Sequence, residues 1–374
     1  MHKIAFHLNN LEHGGAERVV STLAGQFAEE GYEVIVATEE KKEDEFVLNP
    51  KVRREVIGLK KEDESRGRLA KILLRRKYLR EFMVKEKPDV LIAFAQKALY
   101  RALSAEKGSG VPVVFCVRID PVGNYDSFVD TCVLKALLPR AAGAVFQTGQ
   151  QRDFFRRFWK DNACVILNPV NSKYLNVPKP EKREKIVIND ARLVDFKNQA
   201  LLIDAFHRVH EKHPDWKLEI WGPDSHDGTK EILEKKIVDY HAEDFVKLCG
   251  GSDELEKIIP RAGVYAYSSD YEGMPNSLIE AMVMGMPVVS TDCPCGGPAE
   301  IIQDGVNGLL VPIKDVDALA GGINRLIEDR DFAEKLGSEA RKLESRCRVD
   351  LIYQQWRDYL EKVCASYADR NRKE

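Results

Sequence analysis

Val264-Tyr265-Ala266-Tyr267-Ser268-Ser269-Asp270-Tyr271-Glu272-Gly273-Met274-Pro275-Asn276-Ser277-Leu278-Ile279-Glu280 reads as a strand, a loop and the start of a helix. Val264 to Tyr267 is a short apolar run that stops at polar residues, the mark of a buried strand. Pro275 suits the turn entering a helix, and Asn276 or Ser277 is a residue type that caps one. This spacing leaves Glu272 in the loop and Glu280 roughly one turn inside the helix. The free N–H groups of a first helical turn favour an anion nearby. Strand, loop and helix in that order are the unit of an α/β fold, which binds ligands beyond the carboxyl ends of its strands.

The same unit recurs along the chain. In the first half, Lys3 to Leu8, Glu33 to Thr38, Asp89 to Ala95, Val113 to Val117 and Gly143 to Gln147 read as strands. Ala16 to Gly31 reads as a helix closed by a glycine. The second half restarts with Lys185 to Asn189, Lys217 to Trp221, Val246 to Cys249, Val264 to Tyr267 and Pro287 to Ser290. Alternating strands and helices predict βαβ units and parallel sheets. Between the halves, Val177-Pro178-Lys179-Pro180-Glu181-Lys182-Arg183 has the composition of a linker. Two Rossmann-like, doubly wound domains facing a central cleft are therefore expected, over residues 1–176 and 177–349. The terminal segment 350–374 carries a closing helix with Tyr353, Trp356 and Tyr359, which begins near Val349.

Composition narrows the function classes. The chain has 374 residues, 44% hydrophobic and 31% charged, with a formal net charge of -3. That balance exerts no global pull on nucleic acid. Met1-His2-Lys3-Ile4-Ala5-Phe6 runs straight into an apolar strand, and no apolar stretch reaches the ~18 residues of a membrane span. A cytoplasmic protein is expected, and its eight cysteines are expected to be reduced. Cys293-Pro294-Cys295 lacks the C-x-x-C spacing and a second ligand pair, so no metal site is expected.

Two further constellations carry charge or close backbone approach. Gly14-Gly15-Ala16-Glu17-Arg18 lies between the first strand and the first helix. Taken alone it fits an ordinary tight loop as well as a phosphate site. Arg192 and Lys197, in Ala191-Arg192-Leu193-Val194-Asp195-Phe196-Lys197-Asn198, follow the first strand of the second half. A guanidinium fork with an ammonium clamps a diphosphate well, although two solvated loop residues have the same pattern. With Glu272 and Glu280 added, the set matches the needs of a nucleotide sugar. It offers cations for the phosphates and acids for the hydroxyls.

Arg192 with Lys197, then Glu272 and Glu280, then Gly297-Pro298-Ala299-Glu300-Ile301-Ile302 and Gly305-Val306-Asn307-Gly308-Leu309-Leu310-Val311-Pro312, resembles the family 4 retaining glycosyltransferases of the GT-B fold. The resemblance covers essentially the whole length and is strongest from Lys185 to Pro312. It implies that Arg192 and Lys197 hold the donor diphosphate and stabilise it as the leaving group. It implies Glu272 near the donor sugar and Glu280 on the ribose hydroxyls. Gly273, Met274, Pro275, Asn276 and Ser277 fall where the family meets sugar and phosphates, and Lys247, Leu248 and Cys249 where it grips the base. Gly14 and Gly15 match a diphosphate-facing loop, and Asn168-Pro169-Val170 the end of the first domain. Two positions depart from the family. Ala191 stands for a glycine, and Cys116-Val117-Arg118-Ile119-Asp120-Pro121 has no histidine, so Arg118 and Asp120 stand in its place as catalytic candidates.

The activity so implied is metal-independent transfer of a hexose or N-acetylhexosamine with retention. The preferred donor is a uridine diphosphate sugar, with a guanosine diphosphate sugar as the alternative, and no cofactor is needed. Front-face substitution is the expected route; Glu272 as covalent nucleophile is the other. Nucleotide-sugar epimerases share the fold, and a binding protein with a decayed site is a third possibility. Arg66 to Arg80 and Arg152 to Lys160 each mix basic and apolar residues. Each fits a solvated helix face or an anionic membrane surface. Together they predict a peripheral enzyme at the inner face of the membrane, acting on a glycan or polyprenyl-diphosphate-linked acceptor in bacterial surface polysaccharide assembly. The closing helix is expected to pack back on the first domain.

Overall fold

Seven strands of the first half lie parallel in one sheet of the computed structural model, which describes residues 1–12, 14–160 and 162–371. They are Lys3–Leu8 (β1), Glu33–Thr38 (β2), Arg53–Val56 (β3), Val90–Phe94 (β4), Val113–Cys116 (β5), Gly143–Phe146 (β6) and Ala163–Val165 (β7). The order β3-β2-β1-β4-β5-β6-β7 reverses its winding between β1 and β4. Every residue of β4, β5 and β6 is buried, as expected where helices cover both faces of a parallel sheet. That is why these strands read as unbroken apolar runs. β3 and β7 lie at the sheet edges, are partly exposed and have no such run. Neither is foreshadowed in the sequence.

The closing helix, Val349–Asn371, belongs to this first unit, which otherwise comprises Met1–Pro169. Trp356 is fully buried and stacks on Phe94 at 6.2 Å between ring centroids. Tyr353 meets Phe27 edge-on at 4.9 Å, and the Ala144 N–H donates to the Tyr359 hydroxyl at 2.7 Å. Truncating Trp356 to alanine would cost about 3–5 kcal/mol.

The second unit is Val170–Arg348. Its strands are Glu184–Asp190 (β8), Lys217–Trp221 (β9), Val246–Gly250 (β10), Ala262–Tyr267 (β11), Val288–Thr291 (β12) and Leu309–Val311 (β13). All pair in parallel in the order β10-β9-β8-β11-β12-β13, with the winding reversed between β8 and β11. Val187, Leu218, Ile220, Phe206, Ile323 and Leu336 belong to its core.

The chain passes between units at Pro169 and Val170, ahead of the expected join. The proline- and lysine-rich stretch 177–183 is held within the second unit. Arg341 donates to the Val177 carbonyl at 2.6 Å. Arg183 donates to the carbonyls of Pro260 at 2.7 Å and Gly285 at 2.9 Å. Composition suggested a free linker; specific hydrogen bonds fasten it. Among the described residues, no helix is long and apolar enough to cross a membrane.

Candidate active site

β8 and β11 are neighbours in the sheet, so the loops that leave their carboxyl ends emerge side by side. One carries Arg192 and Lys197, the other Glu272. Four contacts clasp the loops together. The Asp270 N–H donates to the Phe196 carbonyl at 2.8 Å, and the Ser268 hydroxyl to the Lys197 carbonyl at 3.0 Å. The Asn198 amide donates to Asp270 Oδ1 at 2.9 Å, and the rings of Phe196 and Tyr271 stack at 4.8 Å. Asn198 has φ of +47°, a left-handed conformation that asparagine tolerates well. Its side-chain oxygen also caps the helix Gln199–Lys212 by accepting from the Leu201 N–H.

Lys197 and Glu272 meet at the centre of this clasp. The Lys197 ammonium donates to Glu272 Oε1 and, at 2.7 Å, to the Tyr267 hydroxyl. Tyr267 donates to the same carboxylate oxygen at 2.7 Å, and Ser269 at 3.1 Å. Both charged side chains are largely buried, at 14% and 11% exposure, so the charges strengthen each other in a medium of low dielectric. Burial and the Glu272 charge hold the Tyr267 phenol well above its ordinary range, which keeps it a donor. The sequence assigned no functional role to Tyr267 or Ser269. Tyr267 ends a buried apolar strand and looks like core; the signal was its hydroxyl, which needs a partner when buried.

The helix expected after Glu272 spans Asn276–Val283. The capping expectation needs correction. Pro275 occupies the cap position in an extended conformation and makes no side-chain cap hydrogen bond, and Asn276 and Ser277 are already helical. Glu280 lies one turn in and is buried at 3% exposure. Gly273, Met274 and Pro275 are buried before the helix. Cys295 donates weakly to the Gly273 carbonyl at 3.9 Å.

The other candidates of the second unit are more open. Arg192 is exposed, and its side chain makes no hydrogen bond or ion pair with Lys197 or any other described residue. Lys247 is exposed, and Leu248 and Cys249 are half-buried, on β10 at the sheet edge. Burial pushes the Cys249 thiol up to about 11.

Gly14, Gly15, Arg118 and Asp120 belong to the first unit. Gly14 is the extended residue before the helix Gly15–Glu29, which has no side-chain cap. Arg118 turns inward. Its guanidinium lies over Phe94 and Trp356, at 4.8 and 5.8 Å from the ring centroids, and donates to Asn168 at 2.8 Å. Its Nε and Nη2 are enclosed with no hydrogen-bond partner among the described residues, an arrangement that costs free energy. Asp120 is buried, and burial raises its carboxyl above the usual range.

Two family models match. The first, "Glycosyl transferases group 1", covers residues 171–343, and the second, "Glycosyltransferase Family 4", covers residues 13–174. The chain is 31% identical over 244 residues to the poly(ribitol-phosphate) alpha-N-acetylglucosaminyltransferase of Staphylococcus aureus, covering 63% of this chain and 48% of that one. It is 28% identical to the lipopolysaccharide core biosynthesis glycosyltransferase LpsE of Rhizobium meliloti, covering 88% and 90%. The chain spans between a fifth and about half of the first three curated relatives that it matches. In structure it is similar to Anabaena HepE in complex with UDP and glucose, with a TM-score of 0.83 and 22% identity over 97% of this chain and 100% of that chain. With parallel sheets in both units and these matches in both halves, the chain belongs to the family 4-type glycosyltransferases of the GT-B fold.

Proposed function

We propose that this protein transfers a hexose or N-acetylhexosamine, with retention, from a uridine diphosphate sugar to a glycan acceptor in bacterial surface polysaccharide assembly. The observation that carries the reading is the Lys197–Glu272 pair held between the loops of β8 and β11. A phosphate-binding cation and a hydroxyl-binding acid stand together there at the reversal of strand order, where such sheets take nucleotides. The relatives' names point to polysaccharide and lipopolysaccharide synthesis, and HepE was solved with UDP and glucose.

Arg192 and Lys197 take the diphosphate. Arg192 has an exposed, unengaged fork for a bidentate grip, and Lys197 supplies a point charge from beneath. As the bond from the anomeric carbon to the phosphate oxygen breaks, negative charge grows on the diphosphate, and these cations lower the barrier. They do the work a divalent ion would do, so the reaction is metal-independent. The acceptor hydroxyl forms its bond on the leaving-group side, and its proton passes to a donor phosphate oxygen. Glu272 orients the sugar and Glu280 the ribose. Gly273, Met274, Pro275, Asn276 and Ser277 offer backbone to sugar and phosphate, and Lys247, Leu248 and Cys249 offer a strand edge to the base. In the first unit, Gly14 and Gly15 open a helix whose free backbone N–H groups suit an anion. Asp120 is the first unit's acid for a sugar hydroxyl, and Arg118 is held inward by Asn168.

The acceptor is lipid-linked, on a polyprenyl diphosphate, and the protein works at the inner face of the membrane. The helix Arg68–Glu86 supports this. Leu69, Ile72 and Leu73 are 77%, 55% and 61% exposed on it, whereas Leu79, Phe82 and Met83 are its buried face. Its first turns therefore present apolar side chains among Arg68, Lys71, Arg76 and Lys77, as an anionic surface requires, while Arg75 is paired with the buried Glu39. Phe128 and Val129 add a second exposed apolar pair at 83% and 68%. The Arg157–Asp126 ion pair links the loop before Phe128 to the basic stretch 152–160.

The test is a donor panel with purified protein. Uridine, guanosine and adenosine diphosphate sugars are scored by thermal shift and by slow hydrolysis without acceptor. A response confined to uridine diphosphate sugars, with free uridine diphosphate released, is expected. A response to guanosine diphosphate sugars alone would change the donor. Release of an isomerised nucleotide sugar would make the protein an epimerase, and no response to any donor would refute transfer.

A further inference from the structure

We infer that Tyr267 is a positioning residue that keeps Glu272 in place when Lys197 turns to the donor diphosphate; this rests on the proposed transferase reading. Glu272 Oε1 accepts from Lys197, Tyr267 and Ser269. No hydrogen bond to a described residue reaches Oε2. One oxygen is saturated and the other is open to a sugar hydroxyl. Lys197 has a second task, because the incoming diphosphate competes for its ammonium. Were Lys197 the sole partner, donor binding would release the carboxylate. Tyr267 prevents that, since it accepts from Lys197 and donates to Glu272 at the same 2.7 Å.

The geometry of Tyr267 suits that task. The residue is fully buried at the end of β11, so its ring is fixed by the sheet while its hydroxyl reaches the loop beyond. Glu272 sits in an irregular loop, whose own backbone restrains the carboxylate less. A rigid strand residue thus sets the rotamer of a loop residue, as preorganisation at a reacting centre demands. Ser269 gives a second, longer hydrogen bond from the loop itself.

Wild type, Tyr267→Phe, Glu272→Gln and the double variant are compared for release of uridine diphosphate from UDP-glucose and UDP-N-acetylglucosamine. The phenylalanine keeps the ring and removes only the hydroxyl. A hydrogen bond to a charged group predicts a kcat lowered about ten- to a hundredfold. Donor KM should stay within a few-fold, because Arg192 and Lys197 remain. In the Glu272→Gln background, read over long incubations, the same change should alter kcat by less than about twofold, because the acid it positions is gone. Near-normal kcat in Tyr267→Phe would overturn the inference. So would an equal loss in both backgrounds, which would mark Tyr267 as packing alone. If Tyr267→Phe does not fold, Ser269→Ala carries the test, since it removes a single hydroxyl that is another donor to the same oxygen. Its kcat should fall only where Glu272 is present, and unchanged kcat would overturn the inference. An inactive wild type overturns the proposed function itself, a failure distinct from an active wild type indifferent to Tyr267.

Discussion

A Cβ atom on Gly297 would stand 2.3 Å from the carbonyl oxygen of Gly273, the residue that follows Glu272. Backbone meets backbone there, so neither side can yield by turning a rotamer. Gly297→Ala is expected to push the loop carrying Glu272 out of register with Lys197. The cost should be about 1–3 kcal/mol of stability, with a larger effect on donor turnover than on fold. Thermal unfolding together with uridine diphosphate release checks this; unchanged turnover would mean that the loop tolerates the shift.

Lys197→Ala removes one cation from the leaving group and leaves Asn198 to cap its helix. Turnover should fall by at least about a hundredfold, the scale of losing one preorganised electrostatic contact. Far-ultraviolet circular dichroism should remain that of the wild type. Normal turnover in a folded variant would refute the clamp assignment.

His7 should make stability depend on pH. The ring is fully buried, its Nδ1 lies 3.0 Å from the Ala37 carbonyl, and Arg101 sits 3.1 Å from Nε2. Burial, reinforced by the Arg101 charge, depresses its pKa to about 3. Above the unfolded value of about 6.5 both states are neutral and His7 has no effect. Below it, the unfolded chain takes a proton that the folded chain refuses, so stability falls with pH. The slope approaches about 1.4 kcal/mol per pH unit. Urea unfolding at pH 7, 6 and 5 should show this decline, and His7→Gln should remove about one proton's worth of it. Parallel profiles for the two proteins would contradict the assignment.

Membrane attachment should depend on the first turns of Arg68–Glu86. Leu69→Gln with Leu73→Gln is expected to reduce sedimentation with phosphatidylglycerol vesicles about tenfold, given two half-inserted leucines. Donor hydrolysis in solution should be unchanged, since neither residue touches the site. Binding of the wild type should weaken as salt rises. Equal sedimentation of variant and wild type would remove this helix from the membrane proposal.

Legibility in the sequence followed burial. β1, β2 and β9 match their expected limits because apolar runs and polar boundaries coincide there. β3, β7 and β13 were silent; β3 reads Arg53-Arg54-Glu55-Val56 and is held by edge pairing and by ion pairs such as Arg53–Glu86 and Arg54–Glu45. The helix Arg68–Glu86 shows a different limit. Its leucines and isoleucine fit a core stripe or a membrane face equally well, and only the structure shows that the stripe divides, buried late and exposed early.

The sequence by itself determined the alternation of strand and helix, the two-unit plan and the acids and bases that mark the family. These depend on local spacing and on side-chain chemistry, both of which are written in order along the chain. Only the tertiary structure decided that Lys197 and Tyr267 meet on Glu272, and that Arg118 turns inward while Arg192 stays open. The first of these depends on β8 lying beside β11 and the second on the closing helix reaching Phe94, long-range pairings that no window of neighbouring residues contains.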